Sequence, residues 1–148
     1  PEILERVISD IPAPSGHPEA PCRAMIFDSI YDGFQGVVAY IRVIDGAYQA
    51  GQKLKLVGTK TETTALEVGT FHPQRKKIDQ LMTGEIGYII TGLKDVQQAR
   101  VGDTIAATTP GVQALPGYRT LQPMVYAGVF SAGGENIEVL RDALETRG

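Results

Sequence analysis

The chain has 148 residues, 43% of them hydrophobic, with seventeen glycines, nine prolines and a formal net charge of −3. That is the length of one domain, or of one domain with part of another. The acidity excludes a general attraction to nucleic acid or anionic lipid but leaves room for a local basic patch. Cys22 is the one cysteine, so an internal disulfide and a multi-cysteine metal site are excluded.

Ile3, Leu4, Val7, Ile8 and Ile11 recur at spacings of three and four, with Glu2, Glu5, Arg6 and Asp10 between them. This predicts a short amphipathic helix that needs a packing partner. Pro12 and Pro14 stop it, and the four prolines of 11–21 predict a stiff extended linker. Residues 22–28 form the first strand candidate, and 29–35 a polar loop with aromatic residues at its tip. The run 37–44 is free of breakers and dense in Val, Ile and Tyr, which is strand composition. Asp45-Gly46 ends it. Residues 53–57 alternate lysine with leucine or valine, predicting a second strand with one apolar face. A turn at 58–61 follows, then a strand over 63–70 in which Gly69 suggests a bulge.

Residues 71–77 carry Phe-His-Pro-Gln-Arg-Lys-Lys and read as an exposed basic loop. Residues 78–83 lead to Gly84, and 85–90 are a clear strand. A connection spans 92–100, and 101–105 form a turn and a short strand. About six strands with glycine-rich turns predict a mainly β fold, a small closed antiparallel barrel. They argue against a nucleotide-binding α/β domain.

The texture changes after 109. Pro110, Gly111, Pro116, Gly117 and Pro123 mark a linker over 110–123. A strand is expected at 124–130 and a helix at 135–145, with Ile137, Leu140 and Leu144 as its apolar stripe. One strand and one helix bury each other poorly, so 124–148 read as the truncated start of a second α+β domain. The expected organisation is 1–21 helix and linker, 22–109 barrel, 110–123 linker, and a β-α stub.

The phosphate-loop search is negative: Gly58-Thr59-Lys60-Thr61 lacks the first glycine, and its lysine does not follow a glycine. His72 stands beside Pro73 as a solvated loop histidine, and Cys22 reads as an inert thiol. Asp28, Asp32 and Asp45 each adjoin a turn, where aspartate caps backbone N–H groups. No catalytic residue and no metal ligand set is assigned. The positive residues group in two places, Arg42, Lys53, Lys55 and Lys60 around the central hairpin and Arg75-Lys76-Lys77 in one loop. They can meet phosphates or serve as ordinary solvated charges. Tyr31, Phe34 and Tyr48 lie near the same connections and either dock another domain or close the barrel end.

Further text is distinctive. Ala13-Pro14, Ala24-Met25-Ile26-Phe27-Asp28-Ser29, Tyr31-Asp32, Gly36-Val37-Val38, Arg42-Val43 and Asp45-Gly46 resemble the second domain of LepA, the translational GTPase family also called elongation factor four. Gly84-Glu85-Ile86-Gly87-Tyr88 and Val101-Gly102-Asp103-Thr104 continue the likeness. Ala114-Leu115-Pro116-Gly117-Tyr118, Pro123 to Phe130 and Arg141-Asp142-Ala143-Leu144 look like the start of the family's third, ferredoxin-like domain. The barrel pattern is common to translational GTPases, and elongation factor G is the nearest alternative.

The resemblance implies a non-catalytic piece of a ribosome-dependent GTPase, associated with back-translocation and translational fidelity. GTP and magnesium would bind in the GTPase domain that precedes the barrel. It implies a cytoplasmic protein, associated peripherally with the inner membrane's cytoplasmic face. It also implies a barrel that leans on small-subunit ribosomal RNA. Arg42, Lys53, Lys55 and Lys60, with Arg75, Lys76 and Lys77 as weaker candidates, would face the RNA. Ile3, Val7, Tyr31, Asp32 and Phe34 would face the GTPase domain. A barrel used only for protein contact is the alternative.

Overall fold

The computed structural model describes residues 2–116 and positions 127, 128, 138, 140 and 141. One helix, α1 (Glu2–Asp10), precedes ten strands: β1 (Arg23–Asp32), β2 (Gly36–Asp45), β3 (Ala47–Gln49), β4 (Lys53–Leu56), β5 (Thr61–Thr64), β6 (Glu67–His72), β7 (Gln74–Lys77), β8 (Gln80–Met82), β9 (Ile86–Ile90) and β10 (Thr104–Ala107). A 3-10 turn at Val96–Gln98 sits in the connection before β10. The mainly β character and the N-terminal helix agree with the sequence. The strand at 124–130 and the helix at 135–145 lie almost wholly outside the described residues; the described positions 138, 140 and 141 are helical.

Eight strands form one antiparallel ladder in the order β5-β4-β10-β1-β2-β9-β6-β7, and β3 pairs with β8 apart from it. A closed six-stranded barrel was the expectation. The observed ladder does not return on itself: β5 and β7 are its two edges. The reason lies at Ala65-Leu66, where the single strand expected over 63–70 divides into β5 and β6. Ala65 turns inward and is fully buried. Its backbone bonds to the β3–β4 connection, Gly51 N–H donating to the Ala65 carbonyl at 2.7 Å and Ala65 N–H to that of Gln52 at 2.9 Å. Leu66 N–H then donates to the Ile90 carbonyl at 2.8 Å. Two residues thus carry the chain from one end of the ladder order to the other.

Three further expectations change. Residues 29–32 extend β1 rather than opening a loop, because Ser29 to Asp32 pair in register with Ala39 to Gly36. Residues 71–77 are not a loop: Phe71 pairs with Arg75 and His72 with Gln74 in a tight β6–β7 hairpin. The register shifts are not at Gly69 but in β1, between Arg23 and Ala24 and between Ile26 and Asp28. Gly69 serves close approach instead, since a Cβ there would overlap the Tyr88 ring.

A smaller buried cluster of Val38, Tyr88 and Ile90 lies on one face of the ladder, and the main core lies on the other. Ile26 from β1, Val37, Ala39, Ile41 and Val43 from β2, Leu54 and Leu56 from β4, Ile89 from β9 and Ile105 from β10 are all buried there with Tyr48 and Leu81. Alternation along β2 places Val37, Ala39, Ile41 and Val43 inward, and area burial drives the association of the whole cluster. The Tyr48 hydroxyl donates to the Ile105 carbonyl at 2.6 Å, so this ring brings no unsatisfied polar atom into the core.

The segments that flank the sheet are tied to it. Within residues 12–21 the backbone is fastened to the end of β2. His17 N–H donates to the Asp45 carboxylate at 3.0 Å, and Gly46 N–H donates back to the His17 carbonyl at 3.0 Å. After β10, Leu115 N–H donates to the Thr104 hydroxyl at 2.9 Å.

Candidate nucleic-acid interface

Residues directly opposite in antiparallel strands share a face, so register shows where each cation points. Lys77 pairs with Gly69, Gly69 with Tyr88, and Tyr88 with Tyr40. Arg42 lies two residues beyond Tyr40, and Arg75 two residues before Lys77. Arg42, Arg75 and Lys77 therefore share the outer face of β2, β9, β6 and β7, although 35 positions separate the first from the last. Lys76 pairs with Thr70 and points to the other side.

Lys53 and Lys55 lie on β4, at the far end of the ladder order, and Lys55 pairs with Glu62. Lys60 occupies the turn into β5 with φ +57. The seven cations expected to face one partner thus do not share one surface.

Acidic neighbours hold part of this charge. Arg75 forms an ion pair with Asp32 at 3.4 Å and Lys77 one with Glu67 at 3.9 Å. Arg42 lies between Met25 of β1 and Ile86 of β9, two exposed apolar side chains, and no ion pair to it forms among the described residues. Lys53, Lys55, Lys60 and Lys76 likewise form no ion pair among the described residues.

Asp32 and Arg75, which the sequence reading gave to two different partners, belong to one surface. Asp32 also caps the β1–β2 turn by accepting from Phe34 N–H at 3.0 Å and Gln35 N–H at 3.2 Å. The Phe34 N–H bond, outweighing slight desolvation and aided by Gln35 and Arg75, lowers the Asp32 pKa. Phe34 itself is fully exposed at the hairpin tip, with Tyr31 more than half exposed beside it. Ile3 and Val7 are exposed on α1.

The sequence reading missed the centre of this face. Phe27, Tyr40, Phe71 and Tyr88 form a chain of ring contacts with centroid separations of 6.3, 5.2 and 5.8 Å. The Arg75 guanidinium lies 5.9 Å from the Tyr88 ring centroid, a cation–π distance. The strand pattern of Tyr40 and Tyr88 was visible; their meeting depends on a register that joins four strands.

Burial, with a hydrogen bond to Glu67 and that residue's charge, pushes the Tyr88 pKa up to about 12. The neutral phenol is therefore favoured by folding. Its contribution to stability is complete below about pH 10, the unfolded value, and is lost as pH rises toward 12. Alkaline titration of tyrosine absorbance should show two groups ionising late, Tyr88 and the buried Tyr48, and Tyr88→Phe should remove one of these two components. A titration unchanged by the substitution would refute the assignment.

The remaining candidates are quiet. Burial pushes the Cys22 thiol up, against the hydrogen bonds of Tyr48 and Gln52. His72 is exposed at the end of β6. Among the described residues, no three His, Cys, Asp or Glu side chains gather as a metal site. No step of nucleotide chemistry is assigned to these residues.

Residues 36–106 match the family model of elongation factor Tu domain 2. The described sheet is similar to that domain in fold. The chain is homologous over 97% of its length to proteins named elongation factor 4, so the LepA resemblance holds. Identity is 50% with that of Bacillus licheniformis, 48% with that of Bacillus subtilis and 47% with that of Thermobifida fusca, each over 145 residues. The chain spans 24% of the length of these relatives. Among solved structures, translation elongation factor SelB from Methanococcus maripaludis in its apo form aligns with a TM-score of 0.62. That match has 12% identity and covers 72% of this chain and 22% of the other, which shows a shared fold.

Proposed function

We propose that this chain is the barrel-type unit of an elongation-factor-4-like, ribosome-dependent GTPase. It docks on small-subunit ribosomal RNA and holds the GTPase domain beside it. In this reading 1–21 lead from the GTPase domain, 22–109 form the docking unit, 110–123 are a linker, and 124–148 open an α+β domain. GTP and magnesium belong to the GTPase domain, and the whole protein works in the cytoplasm in translational fidelity or back-translocation, with a peripheral membrane association as a secondary location. The observation that carries the reading is the similarity to elongation factor 4 over nearly the whole chain. The exposed Arg42 between Met25 and Ile86 supports a phosphate contact on the outer face. The α1 stripe and the Tyr31–Phe34 hairpin tip are the surfaces offered to the GTPase domain.

The test is co-sedimentation of the chain with purified small ribosomal subunits at low and moderate salt. RNA docking should weaken steeply with salt, because each phosphate contact releases counterions. Arg42→Glu should reduce low-salt binding about tenfold, and Lys53→Glu with Lys55→Glu should report separately on β4. The ion pairs of Arg75 and Lys77 favour a second reading, a barrel whose contacts are with protein. Binding that is insensitive to salt and to Arg42→Glu would establish that reading and reject RNA docking.

A further inference from the structure

Asp45 is a carboxylate at the end of β2 with 2% of its surface exposed. Its partners come from two directions. Arg23 at the start of β1 reaches it through Nε at 2.8 Å and Nη2 at 2.6 Å, a two-pronged contact whose geometry is fixed by the planar guanidinium. His17 N–H, in the segment leading into the sheet, donates to its other oxygen at 3.0 Å. The third nitrogen of Arg23, Nη1, donates to the Gln113 carbonyl at 3.5 Å, in the segment leading out. One carboxylate and one guanidinium thus stand between the inbound and outbound chain.

The surroundings leave the inbound side little freedom. Gly46, at φ +64, has its Cβ position within 2.5 Å of the Ala20 carbonyl oxygen. The Thr83 hydroxyl bonds to the Gly46 carbonyl at 2.8 Å. The outbound side is held more lightly, by Leu115 N–H on Thr104 and by Arg23 on Gln113. Between the two segments lies a cavity of about 320 Å³ lined by His17, Arg23 and Asp45 and by residues 110–113. Nothing of the sheet's core fills this space, so the direct line between the two segments runs through the ion pair.

We propose that the Arg23–Asp45 pair is a joint that sets the directions of the inbound and outbound segments together, so that releasing either one loosens the other. The coupling runs from the His17 amide to Asp45, across the guanidinium, and on to the Gln113 carbonyl. A pair that only stabilised the sheet would hold each segment independently. A joint transmits a pull on residues 14–21 to residues 110–115, and so fixes the angle between whatever precedes and follows the sheet. Coupling of this kind needs a contiguous arrangement with a measurable response at both ends.

The experiment uses the whole chain in a Cys22→Ala background, with spin labels on the exposed positions Glu19→Cys and Ala114→Cys. Distance distributions and amide hydrogen exchange are measured for the parent, Asp45→Asn, Arg23→Gln and Thr104→Val. Asp45→Asn keeps the shape and removes the charge; Arg23→Gln, at a partly exposed side chain, serves if the first does not fold. The parent should give one narrow distance. Both joint variants should broaden it and speed exchange at the Leu115 amide by about tenfold, although neither residue bonds to Leu115. Thr104→Val should speed Leu115 alone and leave His17 protected. If Asp45→Asn or Arg23→Gln frees the His17 amide while Leu115 and the distance width stay as in the parent, the two segments are held separately and the joint is refuted. A distance as broad in the parent as in the variants refutes it equally.

Discussion

Gly46→Ala should lower the unfolding free energy by about 3 kcal/mol or more, whereas Gly51→Ala should cost about 1 kcal/mol. Both glycines have left-handed backbones, with φ +64 and +83. A side chain there strains the backbone by a similar amount in each case. The surroundings differ. An added Cβ at Gly51 meets open space, while at Gly46 it meets the Ala20 carbonyl oxygen at 2.5 Å and Cys22 backbone atoms at 2.8 Å. Those atoms are backbone held by hydrogen bonds, so relief requires moving the inbound segment away from β2. The pair of substitutions separates conformational strain from steric overlap. Urea denaturation midpoints for the two variants test it; equal losses would show that the 17–22 backbone yields freely.

The second large effect is expected at Asp103, which is 1% exposed. Its carboxylate accepts three backbone N–H groups: Gly58 at 2.7 Å, Thr59 at 3.2 Å and its neighbour Thr104 at 2.6 Å. Through it, the connection before β10 holds the β4–β5 turn, where Lys60 is also strained. Asp103→Ala leaves three donors without an acceptor and should cost about 3 kcal/mol or more, at about 1 kcal/mol or more for each orphaned group. Asp103→Asn retains one carbonyl oxygen and should lose roughly half as much. The amides of Gly58 and Thr59 should exchange faster in both. A loss below about 1 kcal/mol for alanine would mean that water replaces the carboxylate.

The strongest strands were legible for a simple physical reason. β2 and β9 combine β-branched and aromatic residues without a breaker, and their neighbours only confirm that preference. The Asp32 turn was legible as a cap, since a short carboxylate next to a turn has local donors to meet; Asp45 instead accepts from His17 N–H and Arg23, both distant in sequence. β3, β7 and β8 were not, because each is three or four residues long and none carries an alternating or β-branched run of its own. In β7, Gln-Arg-Lys-Lys has no strand preference of its own; pairing with β6 makes it extended, as tertiary context overrides propensity. The open ladder was hidden for the same reason. The shift at Ala65-Leu66 depends on carbonyls at Gln52 and Ile90, which no local pattern announces.

The candidate surface divides in the same way. The cations were visible as residues, but not their partition. Arg42 and Lys53 looked like one cluster because eleven positions separate them. Ladder order sets them apart and joins Arg42 to Arg75 instead. The Arg23–Asp45 pair was half visible, since Asp45 was expected to cap a turn, while its partner lies 22 residues earlier.

β7 has one further consequence. It is an edge of the main ladder, all four of its side chains are exposed, and three of those four are cationic. A second copy adding its own β7 to this rim would place like charges opposite one another. The rim thus discourages strand-by-strand polymerisation, and replacing these cations with threonine or valine would create an adhesive edge.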